Sequence, residues 1–266
     1  MASLVLEKNS NSLKDKNMKK TITVEQLLDT GAHFGHPTSK WNPKFLPYIA
    51  TKKNGIHIID LEETIRAIEK ADKEILNISN EGGTILFVGT KNQVKDVVQE
   101  AADSCSMFYI VERWLGGILT NFATIKKSIR RLEKLEKESS SIYKNLTKKE
   151  TMMLERERIK LSDLHRGIKD MKYIPNAIFV VDANLEKNAV DEARVLGIPI
   201  FGIVDTNTNP ELVDFPIPAN DDSIKTVKLI LNYCVDSINS LSDMKKEESV
   251  SPNVNQNLEN QADSKK

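Results

Sequence analysis

The sequence is poor in cysteine, in aromatic residues and in long apolar runs. Its 266 residues include 2 Cys, 11 Gly and 9 Pro, and aromatic side chains make up 6% of the total. Cys105 and Cys234 are too few for a disulfide scaffold or a cysteine-rich metal cluster, which favours a reducing, intracellular compartment. No run approaches the roughly 18 apolar residues of a membrane-spanning helix, and Leu4–Leu6 is too short for a signal peptide. We therefore expect a globular protein without a membrane partner.

A net excess of one charge is also lacking, because 38 Lys and Arg balance 38 Asp and Glu. The charges are nevertheless unevenly distributed along the chain. Residues 113–172 contain 16 basic and 8 acidic side chains, and residues 30–59 contain four lysines and no acidic residue. Local fields of this kind attract polyanions even when the whole chain is neutral. Nucleic acid is therefore a candidate partner.

The sequence predicts one α/β domain with polar ends and one insertion. Residues 1–20 and 243–266 are rich in Asn, Ser, Lys and Glu, a composition typical of flexible tails. Apolar strand-like runs alternate with helical patterns over residues 21–112 and 173–242. These runs are Ile56–Ile59, Thr84–Gly89, Met107–Val111, Ala177–Val181 and Pro199–Val204. The alternation predicts a three-layer α/β/α architecture around a mostly parallel sheet.

Residues 113–172 interrupt this alternation with two helical patterns. The apolar residues of the first pattern are spaced as in a coiled coil, at Ile118, Phe122, Ile125, Ile129 and Leu132. Those of the second, which follow a capping box from Thr147 to Glu150, are Leu154, Leu161, Leu164, Ile168 and Met171. The segment is therefore predicted to form an inserted antiparallel coiled-coil helical hairpin. A helical pair packed on the sheet is the alternative, but the polarity outside the narrow apolar rows favours a projecting arm.

Basic residues cluster on the first helix of the predicted hairpin. Lys126, Lys127, Arg130 and Arg131 fall at positions i, i+1, i+4 and i+5, and no acidic residue occurs between Arg113 and Arg131. Such a row can contact successive phosphates and release counterions. We predict that these four residues and Arg113 bind RNA. The alternative is an ordinary solvated helix face.

A second basic segment, residues 31–55, mixes lysines with aromatic rings and prolines. Lysines neutralise phosphates and aromatic rings stack on unpaired bases, a combination suited to RNA. The prolines predict a loop with stiff points rather than a helix. The predicted RNA contacts of this segment are Lys40, Trp41, Lys44, Lys52 and Lys53. In the alternative interpretation the aromatic rings attach a long loop to the core, and both interpretations can hold for different rings.

Three patterns offer enzymatic or metal-binding alternatives. The His33–His36 segment (HFGH) matches the HxGH signature of nucleotidyl-transferring enzymes, but that motif requires a preceding strand and a following helix N-terminus. A zinc site at His33, His36 and His57 lacks a nearby cysteine. Carboxylates that end predicted strands can bind Mg²⁺ or cap turns and helices, and capping is the favoured role of Asp60, Asp182 and Asp205. We predict no catalytic residue, cofactor or metal site.

Several short motifs occur in a characteristic order between about residue 18 and residue 240. They are His33–His36 with Trp41–Pro43, Ile58–Glu62, Phe87–Lys91, Arg113–Gly117 with Leu119–Asn121, Leu146–Glu150, Gly167–Met171, Leu196–Pro199 and Ile203–Asn207. With these motifs the chain resembles bacterial small-subunit ribosomal protein two, the S-two family. The combination of RWLGG-x-LTN and IVDTN in one chain makes the resemblance highly specific.

The resemblance implies a parallel, flavodoxin-like five-stranded α/β/α domain with an inserted coiled-coil hairpin. It implies a structural, non-catalytic role in translation on the small (30S) ribosomal subunit, between its head and body and in contact with 16S rRNA. Family members also help to dock the large mRNA-binding protein of that subunit, and they have no small-molecule substrate. The expected location is the cytoplasmic ribosome. The Asn- and Lys-rich composition makes a plastid stroma the minor alternative.

Two places in the sequence, a stretch of three residues and a single proline, depart from the pattern of the family. His165, Arg166 and Gly167 stand where the family usually has Leu-Gly-Gly, so the bend that closes the hairpin is expected to differ. Pro37 replaces the usual Gln after HFGH, which is expected to change the local loop.

Overall fold

The computed structural model of the protein describes residues 21–137 and 146–250, with side chains described as far as residue 241. The predicted tail at 1–20 and the part of the predicted tail 243–266 that follows residue 250 lie outside the described residues. The polar connection at 138–145 lies outside them as well. None of the described helices is both long and apolar enough to cross a membrane.

Seven α-helices and eight strands make up the described part of the chain. The helices are α1 (Val24–Thr30), α2 (Leu61–Asn80), α3 (Lys95–Ser104), α4 (Phe122–Lys137), α5 (Lys148–His165), α6 (Lys187–Leu196) and α7 (Ile224–Val250). The strands are β1 (Phe34–Pro37), β2 (Ile49–Lys53), β3 (Ile56–Ile59), β4 (Ile85–Val88), β5 (Phe108–Ile110), β6 (Ala177–Val181), β7 (Ile200–Val204) and β8 (Phe215–Pro218). Two short 3₁₀ helices cover Pro43–Tyr48 and Pro210–Leu212.

The main sheet is parallel and has five strands in the order β5-β4-β6-β7-β8. Numbered from its own first strand, this order is 2-1-3-4-5, which is the flavodoxin-like arrangement. The predicted α/β/α fold with a five-stranded parallel sheet is confirmed. Strand β8 was not expected from the sequence because it contains Pro216 and Pro218. It lies at the edge of the sheet, the place where proline is tolerated.

Both faces of the main sheet are buried, which explains why its strands are continuous apolar runs. Side chains alternate between the faces because successive residues of a strand point in opposite directions. Phe87, Phe179 and Phe201 lie on one face and pack in a first core with α2, α3 and α7. Leu86 and Val180 lie on the other face and pack in a second core with α4 and α6. These two helical layers and the sheet form the three layers of the fold.

A small antiparallel sheet of order β1-β3-β2 precedes the main sheet. It corrects two expectations, since residues 31–55 form strands and a 3₁₀ helix rather than a loop, and Ile56–Ile59 lies outside the parallel sheet. The cause is a two-residue hairpin turn in which Asn54 and Gly55 have φ angles of 53° and 79°. Asn-Gly suits this turn because both residues tolerate positive φ.

Helices α4 and α5 pack against each other, and the first predicted apolar row is buried. Phe122, Ile125 and Ile129 of that row join the second core on the sheet. On α5, Leu154, Leu161 and Leu164 are only half-buried, and the helix ends at His165 before the buried residues Ile168 and Met171. The pair is thus anchored on the sheet through α4, and a coiled coil is not confirmed. The boundaries of the arm, 113 and 172, stay predictions.

The last helix extends further than the sequence pattern indicated. The apolar pattern predicts a helix that ends near Leu241, whereas α7 continues to Val250. The first residues of the predicted polar tail, 243–250, are therefore helical.

Candidate nucleic-acid interface

The outward face of α4 presents four basic side chains in one line. Lys127, Arg130, Lys134 and Lys137 occupy positions i, i+3, i+7 and i+10 and are all exposed. None of them forms an ion pair with another residue of the described ranges. At about 1.5 Å rise per residue the line is roughly 15 Å long. We call these four residues the α4 row.

Two of the four residues predicted on this helix are engaged within the protein instead. The ammonium group of Lys126 donates a hydrogen bond to the carbonyl of Lys172 and lies 4.9 Å from the centroid of the Phe122 ring. The guanidinium of Arg131 donates two hydrogen bonds to Glu157 of α5, at 3.0 and 3.1 Å. These bonds lower the pKa of Glu157, which favours its charged form.

Lys134 and Lys137 were missed at the sequence level. The prediction stopped at Arg131 because acidic residues begin at Glu133 and continue with Glu136. In the helix Glu133 lies one turn from both Arg130 and Lys137, but it forms no ion pair with either of them. Glu136 pairs with Lys169 at 2.5 Å. The sequence did contain a signal for them, because Arg130, Lys134 and Lys137 follow one another at spacings of four and three residues, which places them on one helix face.

The segment before α4 is held by a single carboxylate of α6. Glu192 accepts hydrogen bonds from the indole Nε1 of Trp114 at 3.0 Å and from the backbone N–H groups of Gly117 at 2.7 Å and Leu119 and Thr120, both at 3.0 Å. The hydroxyl of Thr120 donates a further bond at 3.0 Å. The RWLGG-x-LTN motif is therefore a loop built around Glu192.

Arg113 lies at the start of this loop and is exposed. With Arg156 and Lys160 of α5 it lines a cleft of about 610 Å³. The acidic Glu112 and Asp163 line the same cleft, and Glu112 pairs with Lys95 at 3.0 Å. Arg113 thus belongs to the surface between the loop and α5, and the α4 row is a separate set.

The predicted contacts of the small sheet divide in a similar way. Lys40, Lys52 and Lys53 are exposed, and within the described ranges they form no ion pair. Lys44 pairs with Glu211 of the second 3₁₀ helix. Trp41 is half-buried and its ring lies 4.8 Å from that of His57, measured between centroids.

The other aromatic rings of this segment mostly attach it to the core. Phe45 is fully buried in the second core and Tyr48 packs against it. Phe34 is 49% exposed and its ring lies 3.9 Å from that of His33. Attachment of the segment to the core therefore holds for Phe45 and Tyr48, and the RNA contact of Trp41 stays a prediction.

The HFGH motif is joined to the carboxyl edge of the main sheet rather than to a helix N-terminus. The backbone N–H of His36 donates to the Thr206 hydroxyl at 2.8 Å, and its Nδ1 lies 3.0 Å from a carboxylate oxygen of Asp205. The hydrogen bond to Asp205 raises the pKa of His36. A Cβ on Gly35 would lie 2.5 Å from Thr206 Cγ2, so only glycine permits this approach. Strand β1 follows a helix and ends in a turn, which is not the context that nucleotidyl transfer requires.

The carboxylates at this edge are occupied by neighbouring groups of the protein. Lys91, in the loop after β4, lies 2.8 Å from Asp221, 2.5 Å from Asp222 and 3.8 Å from Asp182. Asp182 also accepts hydrogen bonds from two backbone N–H groups of the following turn, both at 3.1 Å. Asp60 caps α2 through the N–H of Glu62 at 2.9 Å. The capping interpretation of Asp60 and Asp182 is confirmed.

A metal site at the histidines is not formed in the described part of the chain. No group of three or more His, Cys, Asp or Glu side chains there has the arrangement of a metal site. His36 faces Asp205, and His57 is buried in the small sheet with a lowered pKa, mainly because of its burial.

Together these observations define a flavodoxin-like α/β/α protein with exposed basic side chains on an attached helix pair. A family model described as ribosomal protein S2 matches residues 27–240. The chain is 52% identical over 227 residues to small ribosomal subunit protein uS2 of Onion yellows phytoplasma (strain OY-M), a match that covers 84% of each chain. It is 53% identical over 219 residues to small ribosomal subunit protein uS2 of Aster yellows witches'-broom phytoplasma (strain AYWB), covering 80% of this chain and 81% of the relative.

The chain therefore belongs to the ribosomal protein S2 family, as the motifs indicated. This family is structural rather than catalytic.

Proposed function

We propose that this chain is a structural constituent of the small ribosomal subunit and that it binds 16S rRNA through the α4 row. The observation that carries this proposal is the line Lys127, Arg130, Lys134 and Lys137, exposed and free of ion pairs within the described ranges. Unpaired cations contribute more binding free energy with RNA phosphates than paired cations do, because no internal salt bridge has to be broken.

The remaining predicted contacts receive different roles in this proposal. Arg113, Lys40, Lys52 and Lys53 are exposed and add phosphate contacts from the loop and the small sheet. The ten predicted residues also include Trp41, Lys44, Lys126 and Arg131. Lys44, Lys126 and Arg131 contribute less to RNA affinity, because each already has a partner within the protein. Trp41 is half-buried, and the accessible part of its ring face stacks on an unpaired base.

The family supports three further parts of the proposal. The chain lies between the head and body of the small subunit, acts there without catalysis, and helps to dock the large mRNA-binding ribosomal protein. It works on cytoplasmic ribosomes, and a plastid ribosome is the minor alternative. Fractionation of a native lysate on sucrose gradients tests whether the chain associates with the small subunit. The chain should co-migrate with the small subunit at low salt and leave it at high salt.

Replacing the whole α4 row by Ala tests the RNA contact directly. The variant K127A/R130A/K134A/K137A should bind more weakly to small subunits stripped of this chain. The salt dependence should also fall, with log K against log salt losing about 0.7–0.9 in slope for each lost phosphate contact. The measurement is a binding titration at several salt concentrations.

A matched variant removes the same charge elsewhere. Lys73, Lys187, Arg194 and Lys225 are exposed residues of α2, α6 and α7, and their replacement by Ala should leave the salt slope nearly unchanged. An equal loss of slope in both variants would mean that net charge alone attracts the RNA. An unchanged slope in the α4 variant would contradict the proposed contact.

A further inference from the structure

Glu192 has an unusual position for a glutamate on an outer helix. It is half-buried and receives five hydrogen bonds, all from the segment between Trp114 and Thr120. Three of the donors are backbone N–H groups that converge on its two oxygens. Partial burial alone would raise the pKa of Glu192, but the N–H donors of Thr120, Gly117, Trp114 and Leu119 outweigh it and lower that pKa.

The converging N–H groups would otherwise have few partners. A loop that points several backbone N–H groups at one place forms a nest that binds anions. Here an anion of the protein itself fills the nest. The bonds are charge-assisted, so each is stronger than a bond between neutral groups. The loop conformation therefore depends on the charge of Glu192.

This loop connects directly to the surfaces proposed to bind RNA. Arg113 immediately precedes Trp114, whose ring is buried while Arg113 is exposed. At the other end, the N–H of Asn121 donates to the Gly117 carbonyl at 2.9 Å, and the N–H of Thr124 donates to the Asn121 carbonyl at 3.0 Å. Helix α4 thus starts from the loop that Glu192 holds.

We propose that Glu192 is a positioning residue for the RNA-binding surface. Its carboxylate fixes the 113–121 segment and thereby the direction of Arg113 and the orientation of the α4 row. Glu192 itself does not touch RNA. This inference rests on the proposed function, since it assigns to Glu192 an effect that is transmitted through the basic residues.

The first experiment removes the carboxylate and then replaces it from solution. E192A in the full chain should bind stripped small subunits about tenfold more weakly, the effect of losing about 1.4 kcal/mol. In a Trp41→Phe background, the emission of Trp114 should shift because its indole loses an acceptor. Added formate should restore both signals, and the same concentration of chloride should not. E192Q keeps the side-chain volume but not the charge, so it should behave like E192A without the response to formate.

The second experiment is a double-mutant cycle with the α4 row. If Glu192 acts through the row and Arg113, E192A should weaken binding less than twofold when Arg113 and the four residues of the row are already Ala. A merely structural loss would remain additive and weaken binding about tenfold again. Additivity, or wild-type binding by both Glu192 variants, would overturn the inference.

The two proposals fail in different ways. If replacement of the α4 row leaves binding unchanged, the proposed RNA contact itself is wrong, whatever Glu192 does. If the row matters and Glu192 does not, only the positioning role is wrong. Should E192A fail to fold, E192Q and Thr120→Val, which removes one hydroxyl donor, form the same series and enter the same cycle. Far-UV circular dichroism reports the fold of each variant.

Discussion

The main sheet and the α4–α5 pair bury their apolar residues in different ways. Strands such as β6 are buried at every position, on both faces. Helix α4 is buried along one stripe only, and α5 is mostly half-exposed, with His165 as its fully buried residue. The sheet is therefore stabilised mainly by apolar burial, whereas the pair also uses contacts between polar groups.

The polar contacts of the pair show what this difference means. Arg131 bonds to Glu157, and Ser128 Oγ lies 2.8 Å from Nε2 of His165. Exposed ion pairs add little stability, typically below about 1 kcal/mol. What they provide is orientation, because they hold cations such as Arg131 against a partner within the protein. The sheet therefore supplies most of the apolar burial that stabilises the fold, and the helix pair supplies the exposed basic side chains.

The largest expected effect is a loss of stability when a buried side chain of the main sheet is truncated, compared with the same change on α5. Phe179→Ala should lower the free energy of unfolding by about 3–5 kcal/mol, because Phe179 is 1% exposed in the first core. Leu161→Ala on α5 should cost only about 1 kcal/mol, because its side chain is half-buried. Urea unfolding of both variants checks this. Equal losses would show that α5 is as tightly packed as the sheet.

The next effect concerns the point where the chain returns from the pair to the sheet. Gly167→Ala should destabilise the protein by about 3 kcal/mol, because overpacking forces the backbone to move. An added Cβ there would lie 2.2 Å from the Tyr109 carbonyl oxygen. Gly116→Ala is the control, since nothing lies within 4 Å of its added Cβ. Thermal unfolding of both variants gives the comparison, and a stable Gly167→Ala protein would contradict the close contact.

The smallest expected effect is a pH dependence at the edge of the sheet. The bond to Asp205 raises the pKa of His36 above its ordinary value of 6.5, and Asp221 and Asp222 add to it. Its contribution to stability is therefore complete below pH 6.5 and is lost as the pH rises through the higher, folded-state pKa. In the His36→Gln variant this decrease of the unfolding free energy with rising pH should be absent, because glutamine does not titrate.

The measurement is the difference in unfolding free energy between wild type and His36→Gln from pH 5 to pH 9. The other three histidines have lowered pKa values, so their contributions change below pH 6.5 and cancel in the difference. A difference that stays constant across the range would show that the His36–Asp205 pair does not titrate with folding.

The departures from the family pattern at the end of α5 now have physical explanations. Gly167 is the glycine that the contact with Tyr109 requires, and its carbonyl accepts the Tyr109 N–H at 3.1 Å. Arg166 replaces a glycine where no such restriction acts, and it pairs with Glu112 at 3.3 Å. His165 replaces an apolar residue, and burial lowers its pKa, which favours the neutral ring.

Much of the fold was predictable because it depends on local pattern. The apolar runs of β4, β6 and β7 have lengths and compositions that only a buried parallel strand explains. The small sheet was missed although Asn54 and Gly55 are a strong hairpin signal, because the nearby prolines suggested a loop. Strand β8 was missed because its prolines are acceptable only at an edge, and the sequence does not reveal which strand is an edge.

The candidate site was predictable as a region but not residue by residue. The excess of basic residues on α4 is a property of the sequence. Which of them have a partner within the protein depends on residues far away in the chain, such as Glu157 for Arg131 and Lys172 for Lys126. Glu192 gave no signal, because its donors lie more than seventy residues earlier.

The sequence by itself determined the fold class, the family, and the segments where basic residues accumulate, because each of these depends on residue type and local spacing. Only the tertiary structure decided which cations are free, which carboxylates are occupied, and where glycine is indispensable. Those properties depend on distances between residues remote in sequence, such as Gly35 and Thr206 or Gly167 and Tyr109. Packing of the helices on the sheet sets those distances, and no local pattern contains them.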